Sequence, residues 1–166
     1  MATYSLPHFG PVDFTNLEEY YDITIDFNGQ EIELDLNFEN KTIEVKRLDT
    51  VRTFLEKIPG FDRNNKKYIE EDYGDDDCDT VKLYVQHHLE EIDKAELTDL
   101  IDFDNKAISL EEQLMKALRL VRIGLYPDSE DQFAIFDYSI GRDLTNYLVV
   151  LFTDEKGKLD YMTMES

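Results

Sequence analysis

The chain has 166 residues and a formal net charge of −21, because 17 Lys and Arg stand against 38 Asp and Glu. Hydrophobic residues make up 42% and aromatic residues 12%, which is enough for the core of one domain and too much for a disordered chain. The sequence contains no run of about 18 apolar residues, so it predicts no transmembrane helix. A surface this acidic repels nucleic acid and anionic membranes and attracts basic partners.

Targeting signals and cysteine usage both indicate a reducing compartment. Residues 1–7 lack a basic region and an apolar stretch, so we expect no secretory signal. Cys78 is the single cysteine and therefore has no partner for an intramolecular disulfide. We expect a cytoplasmic monomer or homodimer with one domain over residues 1–166, in which residues 1–16 form an irregular N-terminal segment.

Residues 20–38 predict a β-hairpin. Apolar and polar residues alternate on both sides of Asn28-Gly29, which is typical of strands with one solvated face. Asn-Gly supplies the two positive φ angles of a type I′ turn. The acidic residues expected on the outer face, with no basic residue between them, are Asp22, Asp26, Glu31, Glu33 and Asp35.

Residues 43–118 show the helical spacing of apolar residues. The expected helices cover residues 43–58, 61–73 and 80–91, with a short helical turn permitted within residues 94–104. We expect Pro59-Gly60 to end the first helix, Asp62 to cap the second and Asp79 to cap the third. Ser109 and Glu112 form a capping box that opens a further helix.

The last third of the chain predicts strands at residues 132–138, 147–153 and 158–163, while residues 120–126 fit either a helix or a strand. Strands and helices are segregated along the chain, which indicates an α+β fold. We expect an N-terminal β-hairpin, three to four central helices, and C-terminal antiparallel strands that form one sheet packed against the helices.

The strongest local feature is the acidic region at residues 70–104, which has 14 acidic residues against two lysines, a net charge of −12. Such a cluster repels itself and destabilises the folded state. A basic partner would offset that cost, and the alternative is a solvated face that keeps the protein soluble. The predicted partner-binding residues are Glu70, Glu71, Asp72, Asp75, Asp76, Asp77 and Asp79, with Tyr68 and Tyr73 at the border of the cluster.

A calcium loop is a second interpretation of the same residues. Asp75, Asp77 and Asp79 have the 1-3-5 spacing of an EF-hand. Thr80, however, stands where the turn requires Gly, and Gln86 stands where a bidentate Glu is required. We therefore predict no calcium loop.

The histidines and the cysteine give no catalytic or metal-binding pattern. His88 falls on an apolar helical stripe and is expected to be a hydrogen-bonded core residue. His87 has Glu90 and Glu91 at i+3 and i+4, without the HExxH pattern of a zinc site. Cys78 is surrounded by acids, which should raise its pKa, the reverse of a reactive thiol. No GxSxG, P-loop or GxGxxG motif occurs, so we predict a non-catalytic protein without metal or cofactor.

Four segments distributed over nearly the whole chain resemble the bacterial family known as domain of unknown function 2004. They are His8-Phe9-Gly10-Pro11-Val12-Asp13, Leu17-Glu18-Glu19-Tyr20-Tyr21, Tyr84-Val85-Gln86-His87-His88-Leu89 and Asp160-Tyr161-Met162-Thr163-Met164-Glu165-Ser166. The resemblance implies a compact cytoplasmic α+β domain and assigns no activity. Small acidic α+β families of this type are also similar to immunity proteins, which neutralise toxins from neighbouring bacteria.

The resulting hypothesis is an acidic binding protein that engages a basic protein, in its most specific form a toxin such as a nuclease. The acidic cluster would occlude the surface that a phosphate backbone uses, and Tyr68 or Tyr73 would contribute affinity. Two alternatives stay open: a DNA mimic that inhibits a DNA-binding protein, and a hydrolase or metal-dependent enzyme assembled from distant residues.

Overall fold

The computed structural model describes residues 2–166, in which eight strands, four α-helices and one 3₁₀ turn are formed. In chain order the elements are β1 (Thr3–Leu6), β2 (Gly10–Asp13), β3 (Tyr20–Phe27), β4 (Gln30–Asn37), α1 (Val45–Leu55), α2 (Ile58–Gly74), α3 (Thr80–Glu91), the 3₁₀ turn (Lys94–Glu96), α4 (Leu110–Lys116), β5 (Arg119–Leu125), β6 (Ala134–Ser139), β7 (Leu148–Thr153) and β8 (Leu159–Glu165).

Six strands form one sheet in the order β3-β4-β5-β6-β7-β8, and β1 pairs with β2 in a separate hairpin. Neighbours in the sheet are antiparallel except β4 and β5, which are parallel. Parallel strands need a long crossover, and here the four helices between β4 and β5 provide it. The predicted α+β fold with C-terminal antiparallel strands is confirmed. The parallel pairing that joins the β3–β4 hairpin to those strands was not foreseen.

The core lies between the helices and one face of the sheet. Side chains alternate along each strand, so the pairing register places Ile23, Leu34, Ile123, Phe136 and Leu151 in one row across five strands. The last four of these are at most 1% exposed. Fully buried helix residues that belong to the same core include Leu48, Val51, Phe54, Val81, Tyr84 and Leu114.

Several local predictions are confirmed. Asn28 and Gly29 have φ angles of 53° and 81° at the turn between β3 and β4. The third helix runs over the predicted residues, and the Ser109 side chain accepts a hydrogen bond from the Glu112 amide at 3.1 Å. Residues 120–126, which were open between helix and strand, lie mostly in β5.

The N-terminal segment is not irregular, as had been expected for residues 1–16. Within the described part of that segment, β1 and β2 pair as an antiparallel hairpin, and Met1 lies outside the described residues. Leu6 and Val12 are buried in the core, and the Tyr4 hydroxyl donates to Asp49 Oδ1 at 2.6 Å. Each strand has only four residues, the shortest run in which alternation can indicate a strand.

Pro59-Gly60 does not end the first helix but lies in the first turn of α2. Helix α1 ends at Leu55, and α2 begins at Ile58 with the proline near its N-terminus. The first helical turn tolerates proline because its amide would have no partner there. The prediction that this proline ends a helix was wrong, because it lies at the start of the next one.

Asp62 is consequently a core residue of α2 and not an N-cap. Its side chain is 6% exposed, and Lys66 Nζ lies 3.5 Å from its Oδ2. The hydroxyl of Tyr138, on β6, donates to its Oδ1 at 2.7 Å. Burial, followed by the charge of Asp62, raises the pKa of Tyr138 well above its usual value, so the hydroxyl stays protonated and links α2 to the sheet.

The outer face of the sheet differs from the prediction at Asp35. Asp35 is 2% exposed and lies under Arg122, although it was expected among solvated acids with no basic residue nearby. Arg122 Nε and Nη2 donate to Asp35 Oδ2 and Oδ1 at 2.7 and 3.0 Å, and Nη1 donates to Asp137 Oδ2 at 3.2 Å. The guanidinium lies over Gly124, where a Cβ atom would be 2.6 Å from Nη2.

This ion network ties three neighbouring strands together, since Asp35, Arg122 and Asp137 lie on β4, β5 and β6. Burial disfavours the charged guanidinium, but the hydrogen bonds and charges of the two aspartates outweigh it and raise the pKa of Arg122. Burial raises the pKa of Asp137, and the neighbouring Arg122 opposes that change. Without this network the sheet would bury the two carboxylates with no partner of opposite charge, which costs free energy.

His88 is the predicted core histidine. It is 1% exposed, with Nδ1 2.6 Å from the Tyr84 carbonyl and Nε2 2.8 Å from Thr145 Oγ1. Because a carbonyl only accepts, Nδ1 carries the proton and neutral Nε2 accepts from the threonine hydroxyl. Burial, helped by the adjacent His87, lowers the pKa of His88. The ring thus anchors the β6–β7 loop on α3 in its neutral form.

We predict that Arg122→Met destabilises the protein by about 3 kcal/mol, because it leaves two buried carboxylates without their counter-ion. Arg142→Met is the matched control, since Arg142 pairs with Glu33 near the surface, where both side chains are about half exposed and such pairs contribute at most about 1 kcal/mol. Urea unfolding measures both. Adding Asp35→Asn and Asp137→Asn to Arg122→Met should recover part of the lost unfolding free energy. If Arg122→Met and Arg142→Met reduce the unfolding free energy equally, Arg122 is not the counter-ion on which the buried carboxylates depend.

His88 should make stability depend on pH below its unfolded pKa of 6.5. The folded-state pKa is lower, so the unfolded chain takes up the proton first, and the contribution is lost as the pH falls from 6.5 towards the folded value. We expect His88→Gln to reduce the difference in unfolding free energy between about pH 7.5 and about pH 5.5. His8→Asn, at an exposed histidine, serves as control, and a difference unchanged in His88→Gln would refute the prediction.

Candidate functional site

The predicted acidic residues meet at the junction of α2 and α3, which we call the acidic corner: Glu70, Glu71, Asp72, Asp75, Asp76, Asp77 and Asp79. All are exposed except Asp72, which is half-buried. The structure therefore brings the whole predicted carboxylate set together, because the end of one helix leads through a loop of five residues into the start of the next.

The position of these acids in α2 is unfavourable for the helix itself. A helix C-terminus carries a partial negative charge and favours basic residues in its last turn. The last turn of α2 contains no basic residue and includes Glu71 and Asp72. Helix stability alone would not select carboxylates at this end.

Asp72 has a structural role within the corner. Its Oδ2 accepts a hydrogen bond from the Val81 amide at 2.9 Å, in the first turn of α3. That role had been predicted for Asp79, whose side chain makes no capping hydrogen bond to the described residues. The cap of α3 thus comes from the preceding helix and couples the two helices at the corner.

The loop between the helices presents its charge to solvent. The Asp77 amide donates to Asp75 Oδ1 at 2.9 Å, which fixes the loop backbone. Lys82 is the basic residue that contacts the corner: its Nζ lies 3.7 Å from Asp76 Oδ1 and donates to the Asp75 carbonyl at 3.2 Å. One such contact compensates little of the charge of seven carboxylates, because surface pairs are weak and screened.

Cys78, in the same loop, has the environment expected from the sequence. Its Sγ lies 3.6 Å from Asp75 Oδ2. Partial burial, followed by the charge and hydrogen bond of Asp75, raises the pKa of the thiol. A thiol held in the neutral form is a poor nucleophile and a poor metal ligand.

Tyr68 and Tyr73 are not exposed anchors. Both are half-buried and pack against the core, and the Tyr73 hydroxyl lies 3.4 Å from Glu111 Oε2. Burial, followed by the Glu111 charge, raises the pKa of Tyr73. Much of the surface of both rings is therefore buried inside the protein.

The exposed apolar surface next to the corner comes from Leu83 and Tyr147, which we call, together with the half-buried His87 beside them, the apolar strip. Leu83 is 52% and Tyr147 37% exposed. The Leu83 amide donates to the Asp79 carbonyl at 2.8 Å, so this side chain lies one helical turn from the corner. His87 follows at i+4, and its ring packs edge-on against Tyr147 with centroids 4.9 Å apart.

One feature of the sequence, the position of Leu83 in α3, indicated an exposed apolar residue here. Leu83 lies between the positions of α3 that face the core. In the predicted helix its side chain is therefore on the exposed side. Tyr147 gave no signal, because only the fold of the β6–β7 loop brings it onto α3.

The structure offers no metal centre at the acidic corner. Among residues 2–166, no three His, Cys, Asp or Glu side chains converge in a way that could hold a metal ion. The carboxylate with a burial-raised pKa, Asp137, holds Arg122 and therefore has a structural explanation. No helix in the described residues is long and apolar enough to cross a membrane.

No protein-family model, curated protein or solved structure matches this chain. The resemblance to domain of unknown function 2004 stays a prediction. The function therefore has to be inferred from the corner, the strip and the rest of the chain's own surface.

Two substitutions inside the corner should act on stability in opposite directions. Glu71→Gln removes a charge that opposes the α2 dipole and should stabilise the protein by a few tenths to about 1 kcal/mol at low salt. Asp72→Ala removes the cap of α3 and should destabilise it by about 1 kcal/mol. Urea unfolding at low and high salt distinguishes the effects, because only the first is screened. Destabilisation by both substitutions would mean that Glu71 is a structural residue.

Proposed function

We propose that this chain is a non-catalytic binding protein whose acidic corner and apolar strip together engage a basic protein. The observation that carries the proposal is their adjacency: the last of seven largely uncompensated carboxylates, Asp79, lies one helical turn before the exposed Leu83. Charge alone is common on soluble proteins. Glu71 and Asp72 oppose the dipole of α2 at its C-terminus. Charge that helix stability does not select, placed next to exposed apolar side chains, favours a partner-binding surface over a solvated face.

The two parts of the surface would contribute differently to binding. Opposite charges accelerate encounter, and this effect weakens as salt increases. Desolvated aromatic and aliphatic residues near the centre of an interface supply most of the affinity. In this arrangement the corner steers the partner, and Leu83 and Tyr147 hold it; they replace Tyr68 and Tyr73 as the expected anchors.

The most specific form of the proposal is an immunity protein that neutralises a basic toxin. A toxin that acts on nucleic acid carries a basic surface for the phosphate backbone. The acidic corner would occupy that surface and exclude the substrate without chemistry of its own. The type resemblance to immunity proteins and the negative charge of the acidic corner support the same partner class.

The test begins with the purified protein immobilised and exposed to lysates of its source cell and of competing bacteria, at low and high salt. A captured basic protein is identified, purified and measured for association and dissociation rates. We expect Asp75→Asn, Asp76→Asn, Asp77→Asn and Asp79→Asn together to slow association about tenfold at low salt. Leu83→Ser with Tyr147→Ser should accelerate dissociation about tenfold or more.

The matched control removes four exposed carboxylates outside the acidic region, Glu18, Glu19, Glu39 and Glu44, as glutamines. It changes the net charge by the same amount and should leave most of the association rate intact. If the control and the corner variant slow association equally, only the net charge matters and the corner is not the site.

A further inference from the structure

The basic residues of this acidic chain are concentrated at one place. Residues 41–67 contain eight of the 17 Lys and Arg against four acidic residues, a net charge of +4 in a protein of charge −21. These residues form α1 and the first half of α2. Since α2 has 17 residues and rises about 1.5 Å per residue, its basic start lies roughly 25 Å from the acidic corner at its end.

A groove opens in this basic region between α1, the start of α2 and the β7–β8 turn. Two adjoining depressions of about 370 and 480 Å³ are both lined by Lys57 and Phe61. Phe61 stacks on Phe54 with ring centroids 4.2 Å apart. Gly157, in the β7–β8 turn, has a φ of 83°, and a Cβ there would lie 2.5 Å from the Phe61 ring. The turn thus approaches the ring as closely as a residue without a side chain allows.

The charges at the groove are unequally compensated. Two of its three acidic residues are in ion pairs, Glu56 with Arg52 and Glu155 with Arg47, and the third, Asp49, accepts a hydrogen bond from the Tyr4 hydroxyl. Its three basic residues, Lys57, Arg63 and Lys156, are exposed and have no ion-pair partner among residues 2–166.

The start of α2 adds to the positive potential. Its first turn contains no acidic residue, and no side chain within residues 2–166 caps it. The free amides at a helix N-terminus favour negative charge, and a basic residue such as Lys57 at the N-cap is unfavourable there. Both ends of α2 therefore carry charges opposite to those that the helix dipole selects.

We propose that this groove binds an acidic peptide segment of a partner protein, with an apolar or aromatic side chain seated on Phe61. The unpaired Lys57, Arg63 and Lys156 complement its carboxylates, and the part of Phe61 that stays exposed, 9% of the residue, contacts its apolar side chain. The site uses none of the residues of the acidic corner or the apolar strip, so it stands independently of the proposed basic partner.

A peptide fits this groove better than a nucleic acid does. A polyanion would extend beyond the basic region and meet the remaining surface, whose residues carry a charge of −25 outside positions 41–67. A short acidic segment confines its charge to the groove. The apolar floor also favours a hydrophobic side chain over a phosphate backbone, which requires polar contacts.

The test is selection of a displayed library of random short peptides on the full chain, followed by affinity measurements with the enriched peptides. We expect peptides that combine Asp or Glu with Phe, Leu or Trp. Their affinity should fall about tenfold when Lys57→Glu, Arg63→Glu and Lys156→Glu are introduced together. It should also fall when the apolar residue of the peptide is replaced by Ser.

The matched control reverses three exposed lysines that do not line the groove, Lys41→Glu, Lys94→Glu and Lys106→Glu, and should change the affinity little. Enrichment of no acidic peptide, or an equal loss in both variants, overturns the proposal. So does single-stranded DNA that binds the groove as tightly as the peptides. If the protein dimerises and only the groove variant abolishes the dimer, the occupant of the groove is a second copy of this chain. That result would also refute the proposed peptide site. Enriched basic peptides whose binding is lost only when the carboxylates of the acidic corner are neutralised would bind at the corner, and they would support the proposed function and not the groove.

Discussion

Arg122 connects the two halves of this protein, because it lies on the strand where they meet. The β3–β4 hairpin joins the C-terminal strands only through the parallel pairing of β4 with β5, and four helices intervene in the chain. Arg122 binds Asp35 of β4 and Asp137 of β6 at the same time. Gly124 leaves the space in which the guanidinium lies. The core, and the position of the helices over it, depend on this join.

The distribution of charge is the second organising feature. Helix α2 begins among basic residues and ends among acidic ones, which is the reverse of what its dipole favours at either end. Self-repulsion at the acidic corner adds to that cost. The fold supplies compensation elsewhere, through a fully buried sheet core, the Tyr138–Asp62 hydrogen bond and the cap that Asp72 gives to α3. The molecule thus presents two surfaces of opposite charge at the two ends of one helix.

The candidate site was predictable in its charges and not in its apolar part. Seven carboxylates close together in sequence are close together in space, because one helix–loop–helix junction holds them all. Tyr68 and Tyr73 were natural expectations for anchors, but each faces partly inward once the phase of α2 is fixed. Tyr147 reaches the site from the β6–β7 loop, which His88 and Thr145 anchor on α3. Contacts between residues so distant in sequence leave no local pattern.

By itself the sequence determined the α+β class, the β3–β4 hairpin, the limits of α3 and the hydrogen-bonded core histidine, since each follows from local periodicity or turn chemistry. Only the tertiary structure decided that β4 and β5 pair in parallel and that Asp35 is buried beneath Arg122. It also decided that Asp62 accepts a hydrogen bond from Tyr138 and that β1 and β2 form a hairpin. For the parallel pairing, Asp35 and Asp62, the physical reason is the same: these residues find their partners across long sequence separations, where burial and electrostatic pairing outweigh local propensity. The N-terminal hairpin is local, but its strands have only four residues each.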